Sequence, residues 1–213
     1  MAADTSSPTP TPSRGVRPAG YAKSDKRRHD ILDAAMRLYA ERGYTATSSR
    51  DVAEAAGISE AGLRHHFPTK VDLLQGVLAL REDNDVAATD DYRTAVGTMR
   101  RLLEIIEKNS HQRHVVELYV ALSAEATDPK HPAHDYFVDR YTWVEDMLSS
   151  AGTELQAAGL LHPSLTPRSF AIGVISFTDG LQLQWLLRPS VDMVGEASSF
   201  IDRQLTRPLD EIG

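Results

Sequence analysis

The stretch that decides the fold lies between Thr47 and Lys70 and reads TSSRDVAEAAGISEAGLRHHFPTK. Capping residues precede each of two short apolar segments, Thr47 and Ser48 before the first and Ser59 before the second, and Gly57 separates the segments. The two segments share an apolar seam made of Val52, Ala53, Ala56, Ile58, Leu63 and Phe67. Two short helices that share a seam across a tight glycine turn are typical of a helix-turn-helix, whose second helix enters the major groove of DNA. A packed helical hairpin with no DNA contact is the alternative.

Further helices are predicted on both sides of this stretch. One should span about 24–42, because Ile31, Leu32, Ala35, Leu38 and Tyr39 recur at helical spacing before Gly43. Another should begin after the capping residue Thr69, carrying Leu73, Leu74, Val77 and Leu78. Later helices are predicted near 92–108, 113–127, 133–158, 167–187 and 191–206. Only residues 44–47 have a composition that favours a β-strand, so the expected fold class is all-α.

Charge and composition divide the chain into three parts. Residues 1–23 are rich in Ser, Thr and Pro and nearly lack apolar residues, which predicts a disordered basic arm. Residues 1–70 hold 11 Lys and Arg against 8 Asp and Glu, whereas the rest of the chain holds 12 against 22. A basic end on an acidic body favours a DNA-binding domain at 24–70 followed by a larger effector domain at 71–213.

Composition also narrows the functional classes. The chain contains no cysteine, so a thiol nucleophile and a zinc-thiolate site are excluded. The N-terminal residues have neither a basic n-region nor an apolar h-region, and no apolar run reaches the roughly 18 residues that a transmembrane helix needs. We therefore expect a cytoplasmic protein that does not bind a membrane.

The N-terminal third resembles the TetR family of transcriptional regulators. The family signature combines a helix that ends in Gly-aromatic, a Thr-rich cap, a helix-turn-helix core and a Lys that opens the next helix. The matching residues are Gly43, Tyr44, Thr47, Val52, Ala53, Ala56, Gly57, Ile58, Ser59, Leu63, His66, Phe67 and Lys70. Arg64 stands where the family usually has Tyr, and Gly62 where Thr or Ser is common, and both departures bear on base preference.

The resemblance implies an N-terminal three-helix helix-turn-helix domain followed by a larger helical ligand-binding and dimerisation domain. It also implies a repressor that binds a palindromic double-stranded DNA operator as a homodimer and is released by a small apolar ligand. Neither an enzyme activity nor a cofactor is implied.

Candidate DNA-binding residues lie in and around the second hairpin helix. We expect Thr47, Ser48 and Lys70 to contact phosphates, and the exposed face of the second helix to read base edges. The predicted set is Arg27, Arg28, Thr47, Ser48, Ser59, Glu60, Ala61, Gly62, Arg64, His65, His66 and Lys70. Arg14, Arg17, Lys23 and Lys26 would extend it along the arm, although simple solubility explains them as well.

A ligand pocket is predicted in the larger domain, between about 92 and 187. Apolar and aromatic residues would line it, and Glu117 and Asp179 would supply polar anchors. The predicted set is Met99, Leu103, Ile106, Glu117, Tyr119, Leu122, Trp143, Met147, Phe177 and Asp179. A plain hydrophobic core made of the same residues is the alternative.

Two apolar stripes near the C-terminus are candidates for the dimer interface. One comprises Phe170, Val174, Phe177, Leu181 and Trp185, and the other Val194, Phe200, Ile201 and Leu205. Packing within one chain is the alternative for both stripes.

A rival class is an all-α enzyme or metal-binding protein that keeps a helical hairpin. His131 and His134 beside Asp128 and Asp135 are minimally sufficient for zinc. A helical enzyme built from Glu117, Asp179 and a histidine is the enzyme alternative. No phosphate loop, dinucleotide fingerprint, nucleophile elbow or H-E-x-x-H motif occurs. We therefore predict neither a metal site nor a catalytic residue.

Overall fold

The computed structural model of the protein describes residues 19–86 and 94–212. The helices are α1 (Ala19–Arg42), α2 (Ser49–Ala55), α3 (Glu60–His66), α4 (Lys70–Val86), α5 (Ala95–Ser110), α6 (Arg113–Glu125), α7 (His134–Ala157), α8 (Pro167–Leu187) and α9 (Met193–Gln204), followed by a 3₁₀ turn at Leu209–Glu211. In these two ranges the extended structure is one isolated bridge between Leu161 and Leu205. The all-α prediction is confirmed.

Most helix boundaries agree with the sequence within a few residues, but α1 does not. It begins at Ala19, not near Ser24, so the predicted end of the disordered arm falls inside a helix. The rest of the arm, with Arg14 and Arg17, lies outside the described residues, as do the first residues of the helix predicted at 92–108. The fifth helix begins at Ala95 after the capping Thr94, whose hydroxyl accepts from the Gly97 N–H at 3.0 Å.

The N-terminal helices share one core with the middle of the chain. Ile31 and Tyr39 of α1, Val52 of α2 and Leu63 of α3 are all almost fully buried in it. The same cluster includes Leu118 and Leu122 of α6, because α1 packs along α6. Helix α6 is therefore in direct contact with α1, the helix that precedes the helix-turn-helix.

The larger bundle is built on the pair α7 and α8. Gly152 lets the two helices approach closely, since a Cβ there would lie 3.0 Å from the Pro167 Cα and 3.2 Å from the Phe170 ring. Thr166 caps α8 through a reciprocal pair of bonds with Ser169, and Pro167 occupies the first turn, as predicted. Two further apolar clusters join α5, α8 and α9 into the same bundle.

The two sides of α8 have opposite environments. The predicted interface stripe faces inward: Phe170, Val174, Leu181 and Trp185 are buried, and Phe177 stacks on Phe200 with ring centroids 4.0 Å apart. The stripe therefore packs within the chain. The outward side exposes apolar residues instead: Ile172 (39%), Leu183 (45%) and Leu187 (70%).

By length and composition alone, α8 is the one helix within 19–86 and 94–212 that would reach across a membrane. That is weak evidence, because core helices of soluble proteins pass the same test. Its contacts with α6, α7 and α9 identify it as a helix of the bundle.

Candidate nucleic-acid interface and internal cavity

The first helix of the hairpin is held by a capping box. The Ser48 hydroxyl accepts from the Asp51 N–H at 3.2 Å, and the Asp51 carboxylate accepts from the Ser48 N–H at 2.8 Å. These bonds with Ser48 lower the pKa of Asp51, because they stabilise its ionised form. Gly57, at φ +65°, then provides the turn into the second helix.

Thr47 has a different role from the one predicted. Its side chain is buried, and its hydroxyl donates to the carbonyl of Gly43 at 2.8 Å, with the carbonyl of Leu38 3.3 Å away. The hydroxyl is therefore bonded to backbone carbonyl groups at the end of α1. The expectation that the Thr47 side chain caps α2 and donates to a phosphate is wrong. Ser48 alone is the cap.

The second hairpin helix, α3, presents a polar outer face. Ser59, Glu60, Ala61, Arg64 and His65 are exposed, as an element that enters a groove requires. The Ser59 hydroxyl caps the helix by accepting from the Gly62 N–H at 3.1 Å. An ion pair between Glu60 and Arg64 holds the guanidinium along the same face and leaves its other N–H donors available for DNA.

Arg28 ties α1 to the end of α3. Its Nη1 donates to the His66 carbonyl at 3.1 Å, and its guanidinium carbon lies 4.1 Å from the centroid of the Phe67 ring. Burial, and then the charges of His65, Arg28 and Arg27, lower the pKa of His66, so its neutral form prevails at neutral pH. The structure thus gives Arg28 a positioning contact that the sequence did not reveal, and both Arg27 and Arg28 are exposed.

Lys70 begins α4 on the same side of the hairpin. Its Nζ lies 4.2 Å from the centroid of the Tyr44 ring and 3.4 Å from the Thr45 carbonyl oxygen. Burial lowers the pKa of Lys70, while the carboxylates of Glu125 and Asp51 act in the opposite direction. Sequence reasoning used Tyr44 only as a family match and missed Glu125.

An internal cavity of about 110 Å³ lies among α5, α6, α7 and α8. Of the predicted pocket residues, the structure brings Ile106, Tyr119, Trp143, Met147 and Asp179 together in its wall. Polar lining that the sequence reasoning did not include comes from Asn109, Arg140, Tyr141, Thr178 and Gln182. Helical spacing already points to Arg140, because it lies three residues before the predicted lining residue Trp143 on α7, whereas Tyr141 is not at such a spacing from Trp143 or Met147.

The other predicted pocket residues lie elsewhere. Met99 and Leu122 are fully buried in two different core clusters, and Leu103 packs against the clusters of the larger bundle. Phe177 stacks on Phe200, and Glu117 pairs with Arg113 at 2.7 Å on the surface of α6. For the four apolar positions, helical periodicity identified the core and not the cavity.

Asp179 lies on a polar wall between two cavities. The Tyr141 hydroxyl donates to Asp179 Oδ2 at 2.7 Å, and burial raises the pKa of Tyr141. A second cavity, of about 440 Å³, lies between α6 and α8 and shares Tyr119, Tyr141, Asp179 and Gln182 with the first. An apolar space with a few fixed polar groups is the usual form of a small-molecule site.

The two histidines considered for zinc have other partners. His131 Nδ1 accepts from the Ala133 N–H at 3.2 Å, and His134 Nδ1 lies 2.8 Å from the Ala126 carbonyl oxygen. Within 19–86 and 94–212, no three His, Asp or Glu side chains gather as metal ligands would.

Taken together, an exposed recognition helix, a capped hairpin and a bundle with an internal cavity define a helix-turn-helix DNA-binding regulator. The model of the family "Bacterial regulatory proteins, tetR family" matches residues 31–77. The HTH-type transcriptional repressor KstR2 of Rhodococcus jostii is 36% identical over 155 residues, which cover 68% of each chain. The HTH-type transcriptional regulator TtgR of Pseudomonas putida is 27% identical over 197 residues, covering 86% of this chain and 91% of TtgR.

Solved structures agree with these relatives. A TetR-family transcriptional regulator from Rhodococcus sp. superposes with a TM-score of 0.66 at 26% identity, over 85% of this chain and 100% of that one. The protein belongs to the TetR family of bacterial transcriptional regulators.

Proposed function

We propose that the protein is a homodimeric repressor that binds a palindromic DNA operator and releases it when a small, largely apolar ligand enters the larger domain. Helices α1–α3 read DNA, and the chain from α4 onward binds the ligand and holds the dimer. The observation that carries the DNA part is the exposed polar face of α3, with Arg64 and His65 on a helix positioned by two caps and by Arg28. KstR2, a relative in sequence, is named a repressor. Such a regulator acts where the chromosome is, in the cytoplasm.

The dimer is proposed from the outward side of α8. Ile172, Leu183 and Leu187 share that side with Ser176 and Gly180, whose small size permits close approach of a second helix. A two-fold pair of α3 helices would read half-sites about 34–36 Å apart or at a multiple of that spacing.

DNA binding is tested by sequencing the genomic fragments that the purified protein retains, and then by titrating the enriched fragment across salt concentrations. Arg64→Ala is expected to weaken binding by about 1–3 kcal/mol if Arg64 reads a base. If it contacts a phosphate, the salt dependence of the affinity should fall by roughly one unit. Arg168→Ala is the matched control, because Arg168 is also an exposed arginine in an ion pair, with Glu145 at 2.8 Å, but lies on α8. Equal affinity and salt dependence for Arg64→Ala and the native protein would count against this reading of α3.

Ligand binding is tested with Trp143, which lines the smaller cavity and is 51% exposed. In a Trp185→Phe background Trp143 is the single tryptophan, so its emission reports directly on the cavity mouth. Apolar metabolites that shift this emission are expected to lower the affinity for the retained DNA fragment. Val144→Phe, which places a ring in the cavity wall, is expected to abolish both effects while DNA binding persists. A broad metabolite library that changes neither emission nor DNA affinity would remove the ligand from the proposed function.

A further inference from the structure

The turn that leads into the helix-turn-helix is bonded to the end of α6, a contact that we call the clasp. Thr45 lies in this turn, and its N–H donates to Glu125 Oε2 at 3.4 Å, across 80 positions of sequence. Glu125 is the last residue of α6, so the end of a helix from the larger bundle is bonded directly to the backbone that joins α1 to α2.

Gly43 makes room for this clasp. Its φ of +80° is in the left-handed region that favours glycine, and a Cβ at this position would overlap Glu125 Oε1. The glycine that ends α1 therefore serves two purposes, because it reverses the chain and lets the carboxylate reach the turn.

His131 supports the carboxylate from the other side. Its Nδ1 accepts from the Ala133 N–H, which leaves the proton on Nε2, and Nε2 lies 3.4 Å from Glu125 Oε2. The His131 side chain is only 7% exposed, and its ring meets the edge of Tyr44 with centroids 5.2 Å apart. The carboxylate thus accepts from one backbone N–H and has a buried histidine nitrogen 3.4 Å from the same oxygen, and these two neighbours restrict its geometry.

The clasp also reaches a proposed DNA contact. Tyr44 contacts both His131 and Lys70. The Lys70 Nζ lies over the Tyr44 ring, 4.2 Å from the ring centroid. Lys70 Nζ is also 3.4 Å from the Thr45 carbonyl oxygen. We call Tyr44, Thr45, Lys70, Glu125 and His131 the clasp cluster. Its first three members flank the helix-turn-helix, and the other two lie at the end of α6 and before α7.

Two helices lead from the clasp cluster to the cavities. Tyr119, six residues before Glu125 on α6, lines both cavities, and Tyr141 on α7 follows His131 by ten residues and lines both as well. The hydroxyl of Tyr141 is bonded to Asp179 at the wall between the cavities. By contrast, Leu74 and Leu78 of α4 are buried in the core shared with α1, and neither lines either of the two cavities.

We propose that Glu125 is a positioning residue for the DNA reader, through which the cavity helices α6 and α7 set the placement of the Gly43–Thr47 turn and hence of α2 and α3. This inference rests on the proposed function, since it assigns the route by which the cavity and the DNA surface influence each other. Coupling between two sites is reciprocal, so DNA binding must act on the cavity helices through the same residue.

That reciprocity allows a test without knowledge of the ligand. Hydrogen–deuterium exchange is measured for the full-length protein, free and bound to the genomic fragment that it retains. In the native protein, DNA is expected to slow exchange in α3 and also in the distant segments 113–125 and 134–147, by about 5- to 150-fold where the coupling is strongest. In Glu125→Ala, α3 should still be protected by DNA, but the protection of the distant segments should fall at least several-fold.

Three further variants test whether the contact between Glu125 and the turn carries the protection. Glu125→Gln keeps an oxygen that accepts from the Thr45 N–H, so it should restore much of the protection. His131→Phe keeps a ring against Tyr44 but removes the N–H that faces Glu125, so it should lower the protection. Glu117→Ala is the matched control, because Glu117 also lies on α6 in a pair with Arg113 but does not touch the turn.

The possible failures are distinguishable. If the native protein retains no DNA fragment, the proposed function fails. If it binds DNA but α6 and α7 show no protection, or if both Glu125→Ala and His131→Phe transmit it unchanged, the clasp is not the route. All variants are compared at a temperature at which circular dichroism shows them folded, and His131→Phe decides the matter if Glu125→Ala does not fold.

Discussion

Replacing Leu183 and Leu187 with arginine is expected to turn the proposed dimer into a folded monomer that has lost most of its operator affinity. The two leucines are 45% and 70% exposed on the outward side of α8. Arginines there would bring unpaired charges into the proposed interface and remove its apolar area. Because a dimer gains affinity from engaging two half-sites at once, the loss for a full operator should be on the order of 10²- to 10⁴-fold.

Light scattering at micromolar concentration and titration of the retained DNA fragment check this result together. Val138→Arg is the matched control, since Val138 is similarly exposed, at 48%, but lies on α7. It should leave both the mass and the affinity unchanged. A Leu183→Arg, Leu187→Arg protein that still has the mass of a dimer would place the interface elsewhere on the surface.

The same helix shows how far sequence patterns reach. The spacing of Phe170, Val174, Leu181 and Trp185 correctly predicts a helix with one continuous apolar side, because a period of 3.6 residues identifies a face. It does not identify what covers that face. Within the chain, α7 and α9 cover it. The outward side with Leu183 and Leu187 also contains Ser176 and Gly180 and so gives a weaker apolar pattern.

The local geometry of the helix-turn-helix was predicted better than the lining of the cavity. Caps, turn glycines and the seam of the hairpin are local features, so Ser48, Gly57 and Ser59 occupy the positions that the sequence indicates. Thr47 was misjudged because two adjacent residues with capping hydroxyls compete, and only the fold shows which one is buried. The partners of Glu125 and the lining of the cavity depend on contacts between distant helices, which local periodicity does not encode.

Phe170→Ala is expected to lower the free energy of unfolding by about 3–5 kcal/mol, the usual cost of deleting a buried aromatic ring. The ring is fully buried, and its Cδ1 lies next to Gly152 where α7 and α8 approach most closely, so few side chains can move in to fill the space. Such a loss is a large part of the stability of an ordinary domain.

The measurement is best made by urea unfolding in the Leu183→Arg, Leu187→Arg background, because the unfolding of a dimer depends on its concentration and mixes association with folding. Ile172→Ala in the same background is the control: it removes an aliphatic side chain from the same helix at a position that is 39% exposed, and should cost less than about 1 kcal/mol. If Phe170→Ala costs no more than Ile172→Ala, the inward side of α8 is not the core described above. Leu183→Arg, Leu187→Arg is expected to leave the free energy of unfolding nearly unchanged, while Phe170→Ala lowers it by several kcal/mol. That result would show that the two sides of α8 have different roles. The inward side then holds the bundle together, and the outward side is left free for the proposed dimer contact.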